Sequence, residues 1–512
     1  MRGRIKFPLT IKPGGVREDL GPSETPEGTL LSSSNWLTRT GVGRPRPGYA
    51  IVASQLAAAN RVTGIGFRGS PDTATRLVVH TLTKAYTYDG SAFNDKTGTW
   101  TTSTAVQPVR FTSFPKSGTT YILRVNAANA VDVYDGGAGN FADASGSPPR
   151  ALDIATVGSR VVLFNITDGS GNYPSRVQWC GFNDFDTWTA TDIVELGDTP
   201  GDITAGRAFG PLSMGIYKED SVWLGIAQVA KAPFQFQMIQ QTPGPMSPAS
   251  LVSHRGSHYW MAKDGIIYKF DGARVQEVGI GLASTALTTL NYDRRLETHG
   301  CILNQPQPEL WFFYPVAGST AINRAISMNL VTGAVNPHTF ADSISASANW
   351  ISQGELTWNT LTGTWNTLTY PSWDAMGTSA QPTAILGDSA GKMYQFGITA
   401  TDNGTAIAWN FEHGWKAPAG IGKRLYLDGI ASYWKKATQA LTVTVTVTVT
   451  DTLGDADTTQ TDTFDLSTDS NHLKTFPDTV GQWVKVKHSA TSQVGGMEHR
   501  GAAILGWERA MV

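Results

Sequence analysis

Histidine spacing is the first feature of this sequence that could indicate metal or acid–base chemistry. His254 and His258 lie four residues apart, a spacing that puts two imidazoles on one face of a helix, but Gly256 separates them in a segment with strand-like neighbours. The sequence also has no Gly-rich phosphate loop, no nucleophile elbow and no His-Glu-x-x-His motif. We therefore expect no catalytic residues, no metal ligands and no cofactor, and a protein that is not an enzyme.

Tryptophans form a second group that could bind a ligand. Trp358, Trp365 and Trp373 lie seven and eight residues apart, and the first two each begin a Trp-Asn-Thr-Leu tetrapeptide. Exposed rings at this spacing would form a platform for sugars or for a protein partner. Buried rings would instead fasten a loop onto the body of the protein. The sequence leaves both open and favours the fastened loop.

The composition limits the classes of protein to which this chain can belong. It has 512 residues, 40% of them hydrophobic, which is enough to bury a large core and excludes a disordered chain. The 40 Lys and Arg residues nearly balance the 42 Asp and Glu residues, and the net charge of −2 provides no overall attraction to DNA or acidic membranes. No apolar run approaches the roughly 20 residues of a transmembrane span, and the N-terminus lacks the apolar region of a signal peptide. We expect no stable membrane insertion, and we expect Cys180 and Cys301 to be free, buried thiols of a reducing compartment.

Short strand patterns occur along the whole chain. The clearest runs are rich in β-branched and aromatic residues, and most are bounded by Gly, Asp, Asn or Ser. They are Arg76 to His80, Tyr121 to Val125, Arg160 to Phe164, Gly265 to Phe270 and Glu309 to Tyr314. Helical patterns are scarce, and the best of them is Ser54 to Val62. These observations predict an all-β fold.

An aromatic residue followed two positions later by glycine recurs with a period near 45 residues. Five such pairs are in phase: Tyr88–Gly90, Tyr134–Gly136, Trp179–Gly181, Trp223–Gly225 and Phe270–Gly272. Gly318 and Gly363 continue the series more weakly. This period is typical of one four-stranded propeller blade, because such sheets bury both faces only by stacking around an axis. We expect the aromatic residue to cover the packing face between blades, and the glycine to supply a positive φ in a turn, with Asp-Gly pairs in type I′ hairpins.

The predicted fold is an all-β β-propeller of six to eight blades with an extended N-terminal arm and a C-terminal β-sandwich. The arm is residues 1–50, which either pack along the outside or supply a ring-closing strand; the propeller is residues 51–400. Residues 401–512 form a separate sandwich, because Leu441 to Thr450 alternates strictly and is long for a blade strand.

Several short motifs of this sequence resemble those of one known protein family. Asn35-Trp36, followed by Gly43-Arg44-Pro45-Arg46-Pro47-Gly48-Tyr49, resembles their N-terminal Asn…Gly…Arg-Pro-Gly signature. Arg176 to Trp179 with Phe185 to Trp188, and Ser221 to Trp223, resemble their blade motifs, with Cys180 where the family has Ser. The Trp-Asn-Thr-Leu tandem resembles their Trp-Asp-x-Leu repeats. These motifs are similar to those of the phage head–tail stabilisation proteins, and the resemblance covers residues 10–400 and, more loosely, the C-terminal strands.

The resemblance implies a structural component of the virion tail of a short-tailed, podovirus-like phage. It implies a nozzle or hub, a homo-oligomeric ring expected to be a hexamer, below the portal and the tail adaptor or connector. The ring would surround the DNA exit channel and retain packaged DNA until ejection, contacting double-stranded DNA non-specifically. Other expected partners are tail fibre, spike or needle proteins, and assembly would occur in the host cytoplasm. The alternative is a carbohydrate-active or carbohydrate-binding propeller, a glycosidase or a lectin, that uses Trp358, Trp365 and Trp373.

Overall fold

The computed structural model describes most of the chain. The described residues are 4–10, 14–17, 21, 23–24, 26–57, 59–68, 76–98, 100, 108–228, 233–279, 289–304, 307–350, 382–453, 457–476 and 479–510. Trp358, Trp365, Trp373 and Gly363 lie outside them.

The N-terminal part of the chain contains five strands that belong to three different sheets. These strands are β1 (Arg4–Leu9), β2 (Leu30–Ser34), β3 (Trp36–Arg39), β4 (Val42–Pro45) and β5 (Gly48–Ile51).

Six antiparallel four-stranded sheets follow in chain order, each formed by consecutive strands. Blade 1 is β6 (Val62–Arg68), β7 (Arg76–Thr81), β8 (Ala85–Tyr88) and β9 (Phe93–Asp95). Blade 2 is β10 (Arg110–Lys116), β11 (Thr119–Val125), β12 (Asp132–Tyr134) and β13 (Ala142–Asp143). Blade 3 is β14 (Arg150–Val157), β15 (Arg160–Asp168), β16 (Gly171–Gly181) and β17 (Asp184–Glu195).

The next three blades repeat the same order. Blade 4 is β18 (Ile203–Ala208), β19 (Ser213–Lys218), β20 (Val222–Ala227) and β21 (Phe234–Gln240). Blade 5 is β22 (Val252–His254), β23 (Ser257–Met261), β24 (Ile267–Phe270) and β25 (Val275–Gly279). Blade 6 is β26 (His299–Leu303), β27 (Glu309–Tyr314), β28 (Arg324–Asn329) and β29 (Val335–Thr339). The 3₁₀ helices η1 (Pro248–Ser250) and η2 (Tyr292–Glu297) lie just before blades 5 and 6.

Blade 7 closes the ring with a strand from the other end of the chain. Its first three strands are β30 (Ile344–Trp350), β31 (Thr383–Asp388) and β32 (Met393–Thr399), and its outer strand is β5. Gly48 pairs with Thr399 and Ile51 with Tyr394. The inner strand β30 also packs against β6 of blade 1. The protein is therefore a seven-bladed propeller, which confirms the predicted fold class.

The in-phase aromatic residues occupy equivalent positions. Each lies in the third strand of its blade and is buried. Tyr134, for example, packs in a cluster with Val78 of blade 1, and Trp223 packs with Phe164 of blade 3. These rings cover the faces between blades, as predicted.

The glycines of the repeat differ from the prediction in two ways. Gly90, Gly136 and Gly272 have positive φ, whereas Gly181 and Gly225 lie inside strands without it. The Asp-Gly pairs also do not form two-residue type I′ turns. In blade 1, four residues join β8 to β9, and the Asp89 carboxylate accepts hydrogen bonds from the amides of Ser91 and Ala92. This side-chain bonding favours a longer Asx-type loop.

Ser54 to Val62, the predicted helix, is also not helical: its described residues form a loop that leads into β6. The reason is tertiary, because Leu56 and Val62 are buried in the cluster between blades 7 and 1.

The β-sandwich consists of two sheets built from both ends of the chain. Its C-terminal strands are β35 (Trp409–His413), β36 (Lys423–Trp434), β37 (Thr442–Thr450), β38 (Thr458–Asp465), β39 (Asn471–Thr475), β40 (Val480–Gly481), β41 (Trp483–Ala490) and β42 (His499–Ala510). One sheet has the order β2-β35-β41-β37-β38. The other has the order β3-β4-β42-β36-β39, with β1 paired to β42 and β40 to β36. The valines of β37 are buried and its threonines alternate with them, as the sequence pattern predicts.

The structure therefore divides the chain differently from the predicted segments 1–50, 51–400 and 401–512. Residues 1–50 are not a separate arm, since β1 to β4 are sandwich strands. The alternative of a ring-closing strand is confirmed for the end of this segment, because β5 completes blade 7. The short strands β33 (Thr401–Asp402) and β34 (Thr405–Ala406) belong to the sheet of blade 7, so the sandwich does not begin at residue 401. A strand edge needs a hydrogen-bonding partner, and these partners come from segments several hundred residues away.

Candidate functional site

The Asn…Gly…Arg-Pro-Gly residues form the joint between the propeller and the sandwich. Arg46 lies between β4 and β5, and its guanidinium donates to both carboxylate oxygens of Asp402, at 2.8 Å from Nη1 and 2.6 Å from Nη2. Its Nε donates to Oδ1 of Asn35 at 3.0 Å, and its Cζ lies 4.1 Å from the centre of the Phe340 ring. Arg46 is 1% exposed and Asp402 3% exposed. The arrangement is a desolvated, two-point ion pair, which has structural but no catalytic geometry.

Asn35 completes this joint from the sandwich side. It has a left-handed backbone, with φ of 54°, and its side-chain amide donates to the carbonyl of Ala408 at 2.8 Å and to Oγ1 of Thr339 at 2.9 Å. Its Oδ1 accepts from the backbone amide of Thr339, the last residue of blade 6, at 2.8 Å. Asparagine tolerates this backbone conformation and supplies both donors and an acceptor.

Two glycines of the same signature are required by close packing. A Cβ on Gly43 would lie 2.5 Å from the Trp36 ring, and a Cβ on Gly48 would lie 2.0 Å from the Thr401 carbonyl oxygen. Trp36 itself is fully buried against Trp409 and Phe411. Asn35, Trp36, Gly43, Arg46 and Gly48 of the signature therefore all contribute to packing.

The blade motifs of the resemblance also serve packing. Arg176 to Trp179 lie in β16 and Phe185 to Trp188 in the neighbouring β17, where Cys180 pairs with Trp188. Trp179 packs edge-on against Phe234, and Phe185 against Phe114. In the other blade motif, Nε1 of Trp223 donates to Oγ of Ser221 at 3.1 Å.

A cavity of about 480 Å³ lies in the central channel. It is lined by the first strands of the seven blades, with Arg110, Arg207 and Asn349 among its polar residues. A smaller cavity of about 20 Å³ adjoins it where the inner strands begin; both are lined by Ile65, Arg110, Ala249 and Ser347. Arg61, Glu297 and His299 line the smaller cavity alone.

The carboxylates next to the channel are held in ion pairs. Glu297 accepts from Nε and Nη2 of Arg294, at 2.6 and 2.8 Å, and from Nη2 of Arg61. Asp153 accepts from Nε of Arg110 at 3.2 Å and from the backbone amides of Ile154 and Gly206. Burial raises the pKa of Asp153, and Arg110 and the amides oppose that rise. Both carboxylates are therefore engaged by guanidinium or amide donors.

Three histidines are buried together in the sandwich. His413 and His488 lie on adjacent strands of one sheet, and His499 lies on the other sheet, with its ring centre 5.1 Å from that of His488. Burial lowers the pKa of His413 to about 4 and that of His488 to about 3. Ser432 bonds Nε2 of His488, and among the described residues neither ring nitrogen of His499 has a hydrogen-bond partner.

The described residues contain no group of three or more His, Cys, Asp or Glu side chains arranged to hold a metal ion. Of the histidines singled out in the sequence, His258 is buried and bonds Tyr217, while His254 lies in β22. The two cysteines are free and buried, as expected, and burial raises the pKa of Cys180 to about 11 and of Cys301 to about 12. Within the described part of the chain, no helix has the length and apolar character needed to cross a bilayer.

Sequence reasoning did not identify the arginines of the channel. Arg61 directly precedes β6 and Arg110 begins β10, so both occupy the start of an inner strand. The repeat marks the third strand of each blade, and no comparable pattern marks the first. Only the tertiary fold brings Arg61 and Arg110 to the smaller cavity, and Arg110 and Arg207 to the larger one.

No family model and no curated protein matches this chain. Among solved structures, it resembles the computationally designed Ika8 protein, with 11% identity and a TM-score of 0.38 over 68% of this chain and 100% of that one. It also resembles BBS1N in a complex with ARL6DN, with 11% identity and a TM-score of 0.38 over 72% and 98% of the two chains. BamB from Moraxella catarrhalis has 8% identity and a TM-score of 0.35 over 68% and 100%. At this similarity these structures carry no information on function.

Proposed function

We propose that this protein is a non-enzymatic structural component of a phage tail. In this proposal, copies of the chain form a ring, a nozzle or hub, below the portal and adaptor, and the ring surrounds the DNA exit channel. It retains packaged DNA until ejection and also contacts tail fibre, spike or needle proteins. The observation that carries the proposal is the joint of Asn35, Arg46 and Asp402, because the residues of the phage-like signature fasten two domains into one body.

A rigid subunit is what a pressure-bearing ring needs. The joint draws hydrogen bonds from the sandwich, blade 6 and blade 7, and β5 closes the propeller with a strand that directly follows the joint. Because β2 and β3 also contact the outer strand β29 of blade 6, the sandwich packs at the outer rim of the propeller. Force applied to the sandwich would be transmitted to the blades through buried contacts.

The size of the central cavity determines where DNA would pass. The major groove of B-DNA alone is about 12 Å wide, whereas a cavity of about 480 Å³ is the size of a small-molecule site. A duplex cannot pass through one propeller, so in this proposal the DNA channel is enclosed between several copies of the chain. The net charge of −2 is compatible with DNA that slides, because few counterions would be released on contact.

Deleting the gene from a phage that carries it tests the proposal. We expect particles that package DNA but do not retain it, so that the DNA protected from nuclease falls, and complementation with the chain should restore retention. Electron microscopy of purified tails should show a ring below the adaptor that is absent from the deletion particles. Particles that retain DNA without this protein, or virions that do not contain it, would contradict the proposal.

A lectin-type propeller is the second candidate, and one surface groove favours it. The groove has a volume of about 450 Å³ and is lined by Trp188 beside Arg176, Asp168 and Gln178. An aromatic ring next to planar polar groups is a common arrangement for binding sugars. A glycan array would test it: reproducible binding that is lost in Trp188→Ala would support a lectin, and the absence of any bound glycan would reject it.

A further inference from the structure

Positive charge is concentrated next to the central channel, although the whole chain is slightly acidic. Arg61, Arg110 and Arg207 line the two cavities, and Arg294 is ion-paired to Glu297 behind them. Among the described residues, two carboxylates, Glu297 and Asp153, are paired with these four guanidinium groups. The local charge is therefore +2, against −2 for the entire chain.

The excess charge is buried at the smaller cavity. Arg61 is 9% exposed, and the Glu297 side chain 7% exposed, so water screens this group poorly. Glu297 is shared between Arg61 and Arg294, which leaves one guanidinium charge without a counter-ion. Burying an uncompensated charge is costly, and a bound anion would offset that cost.

Two guanidinium nitrogens here also have unused donors. Nε of Arg61 and Nη1 of Arg294 are buried, and neither has a hydrogen-bond partner among the described residues. Buried N–H groups are almost always paired in proteins, so these two indicate an acceptor that the described residues do not supply. Arg61 lines the smaller cavity directly.

The other polar group of the smaller cavity, His299, is neutral. Its Nε2 lies 3.1 Å from the Ile344 carbonyl and therefore donates, while its Nδ1 lies 2.7 Å from Oγ of Ser347. Burial and the nearby Arg61 charge lower its pKa to about 3. His299 therefore adds no charge near neutral pH, and the net charge of the site is set by the arginines and the two carboxylates.

We propose that the smaller cavity, beside Arg61 and Glu297, binds a single chloride-sized anion. A volume of about 20 Å³ holds one water-sized particle and is too small for phosphate or a carboxylic acid. The anion neutralises the shared Arg61–Glu297–Arg294 group and stabilises the mouth of the channel. This site is independent of the phage-tail proposal, since it concerns the stability of one propeller.

Halide titration of the full-length protein tests the site. At constant ionic strength, with gluconate replacing the halide, we expect the thermal unfolding midpoint to rise saturably with chloride and with bromide. Crystals grown in bromide should show an anomalous peak beside Arg61. Equal midpoints in chloride and gluconate, together with no anomalous peak, would show that the cavity holds water only and would overturn the proposal.

Charge variants separate anion binding from general stability. Arg61→Met and Arg294→Met each leave one guanidinium for Glu297, so either should weaken halide binding by at least ~10-fold. Glu297→Gln removes one negative charge from the site and should therefore tighten halide binding. A folding defect would not increase halide affinity, so this result would separate anion binding from a loss of stability. Arg274→Met is the matched control, because the Arg274 side chain is 71% exposed, lies in the loop between β24 and β25 and does not line the smaller cavity. A halide dependence unchanged in both Arg61→Met and Glu297→Gln would contradict the site.

Discussion

Arg46 and Asp402 are 356 residues apart in the chain and form a buried, two-point ion pair between the sandwich and blade 7. The pair lies where the chain passes from β4 of the sandwich to β5 of the propeller, and Asp402 lies in β33 beside β5. The Arg46 side chain thus links blade 7, which contains both β5 and β33, to the sandwich.

Replacing Arg46 by methionine should lower the free energy of unfolding by about 3–5 kcal/mol, because Asp402 would remain buried without its partner. Urea denaturation measures this change. Lys263→Met is the control, since the Lys263–Asp220 pair has side chains 43% and 49% exposed and should contribute less than about 1 kcal/mol. Equal losses in the two variants would contradict the structural importance of the joint.

Gly64→Ala should lower the free energy of unfolding of the propeller by at least about 1–3 kcal/mol. A Cβ at this position would lie 2.3 Å from the Val109 carbonyl oxygen of the neighbouring blade, and backbone atoms cannot move aside cheaply. Gly210→Ala is the matched control, because a Cβ there meets nothing within 4 Å and the backbone φ is not positive. Its unfolding free energy should stay within about 0.5 kcal/mol of the parent protein.

Stability should fall as the pH falls below about 6.5, the ordinary pKa of histidine. Burial lowers the pKa of His413 to about 4 and of His488 to about 3, so in this range the unfolded chain binds more protons than the folded one. Each of these histidines should cost about 2 kcal/mol between pH 7.5 and pH 5. The loss becomes complete only as the pH approaches the folded-state pKa values.

His488→Phe should remove about 2 kcal/mol of this pH dependence, because the aromatic stack on Phe411 is kept and the titrating group is lost. Urea midpoints at pH 7.5 and pH 5 measure it. Phe411→Leu is the control: it should lower stability by a similar amount at both pH values. An unchanged pH dependence in His488→Phe would show that the pKa of His488 is the same in the folded and the unfolded protein.

Cys180 and Cys301 should not react with Ellman's reagent in the folded protein at pH 8. Both thiols are buried, and burial raises their pKa values to about 11 and about 12, so little thiolate is present or accessible. The same sample unfolded in urea should release two equivalents of thionitrobenzoate. Rapid reaction of the native protein would contradict the buried positions of both side chains.

Local patterns were sufficient to predict the strands and their repetition. Glu309 to Tyr314 is a strand with the predicted bounds, and all but the first of the alternating residues from Leu441 to Thr450 form β37, with its valines inward. The in-phase aromatic residues, from Tyr88 to Phe270, lie in the third strands of successive blades. Such patterns are readable because side-chain alternation and turn chemistry depend on residues close together in the chain.

The candidate site was less predictable. The Asn35 to Tyr49 signature was recognised as significant, but its function as a joint depends on Thr339 and Asp402, which no spacing relates to it. The channel arginines carried no sequence pattern, and Ser54 to Val62 favoured a helix that burial between two blades overrides.

The amino-acid sequence alone thus determined that this is an all-β protein made of repeated four-stranded units followed by longer alternating strands. Tertiary structure decided that there are seven blades, that β5 closes the ring, and that β1 to β4 complete the sandwich. The physical reason is the range of each interaction. Strand formation depends on residues that are close together in the chain. The pairing of Gly48 with Thr399, or of Arg4 with Trp507, depends instead on which distant strand edge still lacks a hydrogen-bonding partner.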